Sequence, residues 1–393
     1  MLLSPTIHSP IGIDAGSRRV NAVQLARAPR ARAWRLHAGA SIPRHNATQD
    51  LTPGEFLRIL DALRRQGFEG DRAVAAVSPT RTFSGVLELP ARAGALPLDA
   101  IARQELARTC KRDASAIECA WWELPPPAGG SGGGVGAQRT GQSALAIGCA
   151  HADAVALLDA LEGPQGGSAL RSRAALDVIA LDTAPTALAR ACASLLAPPP
   201  GLTAMLSICH EASQILILRA GLVVYERTLP EAGLRLLLSG IANQLGTAAV
   251  ADDDSTPGSD IAEHILTTLG VNPPPLDADV ENGIASAAPD VCALAGAHAD
   301  ALASELTASM TYAVRRFDSG VATVLLAGSG AAIPGLARRI GERAGLPTVV
   351  ARPADLFPLA PGLNPATLGP GLTLAAGLAL HGSTRGTLAG DAA

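Results

Sequence analysis

The segment Ile11-Gly-Ile-Asp-Ala-Gly-Ser17 carries the clearest fold signal in this 393-residue chain. A short apolar strand runs into Asp14, and Gly16 permits a tight turn directly after it. Backbone N–H groups at such a turn can hold phosphate oxygens, and a carboxylate at a strand end can reach a hydrated Mg²⁺. The segment predicts a phosphate-contacting hairpin with Asp14, Gly16 and Ser17 as ligand-binding groups and Asp14 as the Mg²⁺ contact. In isolation, the same pattern also describes an ordinary turn.

The hairpin pattern recurs in the second half of the chain. Strand-like runs at residues 204–208, 214–218 and 222–229 repeat the order of the first half, and Gly221 makes the turn between the last two. Between the halves, Pro198-Pro-Pro-Gly201 interrupts the pattern as a linker would. A three-strand module followed by an amphipathic helix in each half favours an internal duplication over a chance repeat.

These patterns predict an α/β chain of two lobes with an inserted subdomain in the first. The last helix should pack back at the junction of the lobes, and a low-complexity loop should interrupt the inserted part. The predicted boundaries are 9–198 for the first lobe, 201–381 for the second, about 71–150 for the inserted subdomain, 125–136 for its Gly/Pro-rich loop, about 365–381 for the last helix and 382–393 for a disordered tail.

The composition is that of a globular protein with ample material for two cores. Hydrophobic residues make up 48% and charged residues 17% of the chain, which argues against global disorder. A formal net charge of −4 gives no support for nucleic acid as a partner. The sequence has no uninterrupted apolar run of about 20 residues, so we expect no membrane span. The six cysteines are scattered without a C-x-x-C pair, which predicts free thiols rather than disulfides or a zinc site.

A second glycine-rich unit lies near the end of the chain, at Leu325-Leu-Ala-Gly-Ser-Gly330. Its glycines stand where a strand turns into a helix, so a flat adenine or a phosphate can approach the backbone. A dinucleotide fingerprint would need a third glycine where Ile333 stands, and Lys111 has no glycine-rich lead, so Rossmann and P-loop sites are both disfavoured. Gly328, Ser329 and Gly330 are therefore the predicted adenosine contacts.

Together these segments resemble the actin, sugar kinase and chaperone ATPase superfamily. The run IGIDAGSRRVNAVQL at residues 11–25 looks like the first phosphate loop of that superfamily and is closest to the PilM family. The run VLLAGSGAAIPGLARRIGERAGLPTVVARP at residues 324–353 is similar to the adenosine motif of the PilM and FtsA families. The resemblance spans residues 11 to about 381. It implies a two-lobed actin-like (ribonuclease H-like) ATPase fold with ATP and Mg²⁺ as cofactors.

The sequence departs from the family pattern at the nucleotide site. The second phosphate loop should hold Asp-x-Gly, and this chain has Ser207-Ile-Cys209 there. In the first loop, Asn21 stands in place of the family's Lys and Gln24 in place of its Glu, and residues 260–269 offer no basic helix for the ribose and adenine. Losing a carboxylate near Mg²⁺ and a charge-assisted phosphate contact weakens binding and transition-state stabilisation. We therefore expect weak ATP binding and little or no hydrolysis, with no assigned catalytic residue.

The resemblance implies an assembly scaffold of a type IV pilus. Such a protein is cytoplasmic, binds the N-terminal tail of a PilN-like inner-membrane protein, and so lies at the inner membrane through that partner. Other pilus platform proteins and the motor are further expected partners, and homo-oligomers are compatible with the resemblance.

Two alternatives stay open. The first is an active ATPase or sugar kinase of the same fold. A kinase needs a carboxylate base aimed at the substrate hydroxyl, and Asp177 and Asp182 are the candidates, although a strand-end or helix-capping role is the expected one for both. The second alternative is the cytoplasmic part of a type II secretion L-type protein, which the lack of an expected membrane span disfavours.

Overall fold

The computed structural model describes residues 6–45, 50–91, 96–126, 141–163, 175–246, 257–272 and 282–383. The predicted loop at 125–136 and the predicted tail at 382–393 lie almost entirely outside these residues. Among the described helices, none is long and apolar enough to cross a membrane.

The described strands form three sheets, and we number strands and helices in chain order. The strands are β1 (Ile7–His8), β2 (Ile11–Ala15), β3 (Arg19–Arg27), β4 (Arg35–Pro43), β5 (Arg72–Ala76), β6 (Thr82–Pro90), β7 (Ile117–Glu123), β8 (Gly141–Ala150), β9 (Asp177–Asp182), β10 (Leu202–Ile208), β11 (Ser213–Arg219), β12 (Leu222–Leu229), β13 (Val321–Ala327) and β14 (Thr348–Val350). The α-helices are α1 (Pro53–Arg65), α2 (Leu98–Thr109), α3 (His151–Glu162), α4 (Ala184–Ala191), α5 (Leu234–Gln244), α6 (Pro257–Leu269), α7 (Asn282–Phe317), α8 (Leu336–Ala344), α9 (Pro353–Leu356) and α10 (Thr373–Ala379).

The two large sheets share one topology. The first runs β4-β3-β2-β5-β9, with β1 pairing the end of β3, and the second runs β12-β11-β10-β13-β14. In each sheet the first long strand is central, the next two strands are antiparallel to their neighbours, and the last two pairings are parallel. The two-lobed α/β fold with a duplicated module is thereby confirmed. We call the units built on these sheets the first and second lobes.

Apolar periodicity explains how each lobe buries its sheet. In α1, Phe56, Ile59, Leu60 and Leu63 lie on one face and are buried against the first sheet, as their helical spacing predicts. Thr52 caps this helix by accepting a hydrogen bond from the Glu55 backbone N–H. In the second lobe every residue of β10 is buried, which suits a central strand covered on both faces. Each fully buried Leu or Ile of these cores contributes about 1.5–3 kcal/mol relative to an exposed position.

The third sheet is small and runs β6-β8-β7, with α2 packed against it. It begins at Thr82, whereas the inserted subdomain was predicted from about residue 71, because β5 pairs with β2 and β9 in the first sheet. The small sheet also reaches the second lobe, since the Trp122 indole N–H donates to the Val223 carbonyl oxygen at 2.7 Å. The other predicted boundaries of lobes and insertion stay predictions.

The helix α10 returns to the first lobe and packs on the face of its sheet. A Cβ at Gly12 would lie 2.0 Å from the Ala375 carbonyl oxygen, so only glycine lets the helix approach this closely. A Cβ at Gly377 would likewise lie 1.9 Å from the Ala187 carbonyl oxygen on α4. The apolar face that α10 covers includes Val23, Leu25 and Leu36. A segment that follows the second sheet in the chain thus completes the core of the first lobe.

Candidate functional site

The hairpin between β2 and β3 holds Asp14 in a polar ladder that crosses three strands. Asp14 pairs with Asn21 on β3, and the Asn21 side-chain amide donates to the Asp14 carboxylate at 3.1 Å. The Ser41 hydroxyl on β4 donates to the Asn21 side-chain oxygen at 2.7 Å, and Arg19 Nε donates to Ser41 Oγ at 2.8 Å. The donors therefore all point toward Asp14, which makes its carboxylate the negative end of the ladder.

Asp14 has an unusual proton affinity. Burial raises the pKa of Asp14 from its ordinary value of 3.8 to about 6, and the hydrogen bond from Asn21 opposes this only in part. Among the described residues Asp14 has no cationic partner, and a bound cation would stabilise its desolvated carboxylate, so the position suits a Mg²⁺ contact. Perturbed pKa values of this kind are frequent at functional sites.

The turn after Asp14 fits a phosphate group. Ser17 Oγ is buried and has no hydrogen-bond partner in the part of the chain that the structure describes, and a phosphate oxygen would satisfy it. A Cβ at Gly16 would lie 2.9 Å from the Arg19 carbonyl oxygen, so the turn requires glycine there. The three residues predicted for phosphate and Mg²⁺ thus lie together at one end of the first sheet.

Arg18, which the sequence reasoning did not single out, joins the two lobes. Its side chain is only 13% exposed, and it donates to Ser259 Oγ at 3.0 Å and forms ion pairs with Asp260 and with Glu263 at 3.2 Å, all on α6. No local motif marks Arg18 in the sequence, because Ser259 and Asp260 lie 241 and 242 residues further along the chain. The helix α6 is therefore acidic toward the first lobe, in line with the missing basic helix at residues 260–269.

The second loop, Ser207–Cys209, has neither a carboxylate nor a glycine. Burial, and to a smaller extent the charge of nearby Asp14, raises the pKa of the Cys209 thiol to about 11. A neutral thiol cannot replace a carboxylate as a Mg²⁺ contact. The loop also caps the N-terminus of α5. The Cys209 carbonyl oxygen accepts a hydrogen bond from the Leu234 N–H at 3.0 Å, and the His210 carbonyl oxygen accepts one from the Arg235 N–H at 2.9 Å. These two N–H groups are engaged by the protein itself.

The glycines of the second glycine-rich unit, Gly328 and Gly330 after β13, have a packing role. Gly328 has φ +82°, and a Cβ there would lie 2.4 Å from the Ile208 carbonyl oxygen. A Cβ at Gly330 would lie 2.3 Å from Ile208 Cγ2. Both glycines are buried against the second loop, whereas Ser329 between them is exposed. Contact of Gly328, Ser329 and Gly330 with adenosine stays a prediction.

Asp182 is engaged in a structural network. It accepts hydrogen bonds from the Thr186 hydroxyl at 2.8 Å and from the Thr183 backbone N–H at 2.7 Å, and it pairs with Arg190 and His381. Burial alone would raise the pKa of Asp182, but the His381 hydrogen bond and the Arg190 charge hold it well below the ordinary range. Such a carboxylate is a poor general base. Asp177 lies at the opposite end of β9, so the two candidate bases are not brought together.

Two sheets of this shared topology, each beginning with a β-hairpin, define an actin-like fold, as the sequence resemblance predicted. No protein-family model and no curated protein matches the sequence. The particular likeness is to a solved structure of a PilM–PilN type IV pilus biogenesis complex, with a TM-score of 0.70 at 19% identity over 95% of this chain and 98% of that one. The ethanolamine utilization protein EutJ from Carboxydothermus hydrogenoformans matches with a TM-score of 0.50 at 13% identity over 96% of this chain and 91% of its own.

Proposed function

We propose that this chain is a scaffold of a type IV pilus assembly platform that binds the N-terminal tail of a PilN-like membrane protein. The observation that carries the proposal is the likeness of its fold to PilM over nearly the whole of both chains. A binding role is favoured over turnover because Asp14 of the first loop has no carboxylate counterpart in the second, where Ser207 occupies the matching position.

The partner is tested by calorimetry with the N-terminal peptide of the PilN-like protein encoded nearest to this chain. We expect one peptide per chain, and a peptide of scrambled sequence should not bind. Failure of every such peptide, together with failure to capture the full-length membrane protein in detergent, would contradict the pilus assignment. Binding only to a type II secretion partner would instead favour the L-type alternative.

We further propose that ATP binds weakly with Mg²⁺. Asp14 would contact the Mg²⁺ ion, Gly16 and Ser17 would contact the phosphates, and Gly328, Ser329 and Gly330 would line the adenosine side. When bound, ATP would supply a polyanion at the hairpin of the first lobe. The ion pairs of Arg18 with α6 join the lobes through the protein's own charges, which suits a scaffold that need not cycle with nucleotide.

Calorimetry with ATP, with and without Mg²⁺, tests the nucleotide proposal, and a phosphate-release assay tests turnover. We expect weak, Mg²⁺-dependent binding. No binding at millimolar ATP would remove the nucleotide role and leave the partner role intact. Steady turnover above about 1 s⁻¹, in the ordinary enzyme range, would contradict a scaffold without catalysis and favour the ATPase or kinase alternative.

The proposed location is the cytoplasmic face of the inner membrane, held there by the partner. Fractionation of cells with and without the PilN-like protein measures this. We expect the chain in the membrane fraction only when the partner is present. Other platform proteins, the motor and copies of this chain are proposed as further contacts, and cross-linking in the same cells would identify them.

A further inference from the structure

The end of the first sheet opposite Asp14 brings together two histidines and a glutamate from separate segments. His8 lies on β1, His37 on β4, and Glu69 between α1 and β5. His8 Nδ1 is 3.2 Å from one Glu69 carboxylate oxygen, and His37 Nε2 is 3.6 Å from the other. One ligand atom from each of the three lies within 4.8 Å of the others. His8 pairs with Ala26, five residues along β3 from Asn21, the partner of Asp14, so at about 3.3 Å per residue His8 is about 16 Å from Asp14 along the sheet.

A bulge in β4 directs His37 into this cluster. Gln24 pairs with Ala38 and Leu25 with Leu36, so His37 is the extra residue on its strand. A bulge of this kind bends the strand and re-aims a side chain. His8 comes from the short strand β1, which pairs the same end of β3. Neither arrangement serves the hairpin site described above.

The Gln24 side chain fixes the backbone of Glu69 through two hydrogen bonds. Its side-chain amide donates to the Glu69 carbonyl oxygen at 2.6 Å, and its side-chain oxygen accepts the Glu69 backbone N–H at 2.8 Å. The same amide also donates to the Ser9 carbonyl oxygen at 3.2 Å, next to His8. Gln24 is buried, so these bonds are shielded from water. The family's Glu at this position could not donate such bonds as a carboxylate, whereas Gln24 fixes the backbone of one ligand residue and the neighbour of another.

We propose that His8, His37 and Glu69 form a binding site for a first-row divalent metal ion of the Zn²⁺ type. Two imidazoles and one carboxylate are a ligand set for Zn²⁺ and its neighbours, whereas Mg²⁺ and Ca²⁺ prefer oxygen ligands throughout. Two ligands at about 2.0–2.1 Å from a tetrahedral ion are about 3.4 Å apart. Each imidazole nitrogen lies near this distance from a different Glu69 oxygen, at 3.2 and 3.6 Å, and the three ligand atoms, within 4.8 Å of one another, would draw closer when an ion binds.

The unmet bonding capacity of His37 supports this assignment. His37 Nε2 is buried and has no hydrogen-bond partner among the described residues, although it faces the Glu69 carboxylate. The His8 and His37 rings are stacked with centroids 4.6 Å apart and planes 22° from parallel. Because a metal lies near the plane of each imidazole that binds it, ion binding must turn at least one ring about its Cβ–Cγ bond, a soft torsion in histidine.

A bound ion would tie β1, β4 and the α1–β5 connection into one unit. Glu69 is 59% exposed, so the remaining coordination positions face solvent and are open to water or to a side chain of a partner. The site is therefore a cross-link of the first lobe that acts independently of the nucleotide hairpin. It also does not depend on the proposed partner, so its test stands apart from that of the scaffold role.

Calorimetric titration of the reduced, chelator-treated full chain with Zn²⁺ tests the proposal. We expect one ion per chain at this site, no comparable binding of Mg²⁺, and at least about tenfold weaker binding in His8→Ala and in His37→Ala. His151→Ala is the matched control, because His151 also pairs with a glutamate, Glu118, at 2.9 Å but stands outside the His8–His37–Glu69 cluster. It should bind Zn²⁺ as the wild type does.

Substitution with Co²⁺ gives a second, direct readout. The visible absorption should show a nitrogen and oxygen ligand set without a thiolate-to-cobalt charge-transfer band, which separates this site from the six cysteines. His8 and His37 lie at the margin of the sheet, and circular dichroism will verify that the variants fold. Absence of Zn²⁺ binding by the wild type, a thiolate band, or unchanged binding in the double variant His8→Ala/His37→Ala would each overturn the proposal.

Discussion

The hairpins that begin the two lobes have the same backbone pairing but different polar side chains. Asp14 pairs with Asn21, and Ser207 pairs in the same way with Gln214, so residues 16–19 and 209–212 are matching turns. The ladders match as well, since Asn21 lies opposite Ser41 and Gln214 opposite Thr228. The backbone hydrogen bonds and apolar burial that fix this hairpin do not require a carboxylate, so the second lobe has the same hairpin with Ser207 at the position of Asp14.

The turns diverge in what their side chains contact. Arg18 reaches across to α6, whereas Glu211 at the matching position forms an ion pair with Arg235 at 3.5 Å inside its own lobe. Asn21 donates to Asp14, whereas the Gln214 amide turns to Glu226 at 3.2 Å. The side chains of the first hairpin thus contact Asp14 and the other lobe, while those of the second contact residues of their own lobe.

The largest loss of stability is expected when a buried residue of the first lobe is replaced by its counterpart from the second. Gly12 and Met205 occupy matching places on the central strands, and only Gly12 lies under α10. Gly12→Met should displace α10 and lower the free energy of unfolding by about 3 kcal/mol or more, because a packed core resists added volume. Urea unfolding measures this. Gly54→Ala, where a Cβ meets nothing within 4 Å, is the control, and an equal loss in both variants would contradict the packing argument.

Asp14 should make stability depend on pH. In the folded state the pKa of Asp14 is about 6, above the ordinary 3.8. Between pH 3.8 and pH 6 the folded state therefore keeps a proton that the unfolded state has released. The free energy of unfolding falls as pH rises through this window. Asp14→Asn removes this loss and should be more stable than the wild type by about 1–3 kcal/mol at pH 7, with a much smaller difference at pH 4. Chemical unfolding across pH gives the comparison. Ser207→Ala, at the matching position, should show a difference that does not vary with pH.

Restoring the second loop should restore part of the nucleotide chemistry. The double variant Ser207→Asp/Cys209→Gly recreates the Asp-x-Gly pattern and should raise ATP affinity about tenfold in the presence of Mg²⁺, or about 1.4 kcal/mol, through a charge-assisted contact. Calorimetry with and without Mg²⁺ measures the gain. Cys209→Gly alone adds no charge and is the control. A gain that is the same without Mg²⁺ would speak against a metal contact at this position.

The smallest effect is expected at the link between the lobes. Arg18→Ala should lower the free energy of unfolding by about 1 kcal/mol, because Asp260 and Glu263 are well exposed and solvent screens their charges. A double-mutant cycle with Asp260→Asn isolates the pair, and Arg19→Ala, which loses only exposed bonds to Ser41, is the control. A coupling energy near zero would mean that Arg18 does not hold the lobes together.

The fold was predictable from sequence because its signals are local. The hairpin at residues 11–17, the helix around Phe56 and the glycine turns each follow from the order of a few neighbouring residues. The small sheet starts at Thr82, whereas the inserted subdomain is predicted from about residue 71, because β5 is short and apolar, and such a run does not reveal which sheet it joins.

The contacts of the site were less predictable because they join distant segments. Arg18 meets Asp260, and Asp182 meets His381, over separations that no spacing rule covers. The approach of His8, His37 and Glu69 depends on a bulge, and a bulge at an ordinary residue leaves no pattern in the sequence. Charge and hydrogen-bond capacity identify such residues as candidates, but only the tertiary structure pairs them.

The return of α10 to the first sheet also bears on how the protein is made. Domains generally fold as they leave the ribosome, the N-terminal one first. Here Val23, Leu25 and Leu36 are buried by α10, which is translated more than 300 residues later, after the whole second sheet. The first lobe therefore cannot reach its final packing until synthesis has passed α10. In the interval this apolar face is exposed, and transiently exposed apolar surface is prone to aggregation, so the folding of the two halves is coupled in time as well as in space.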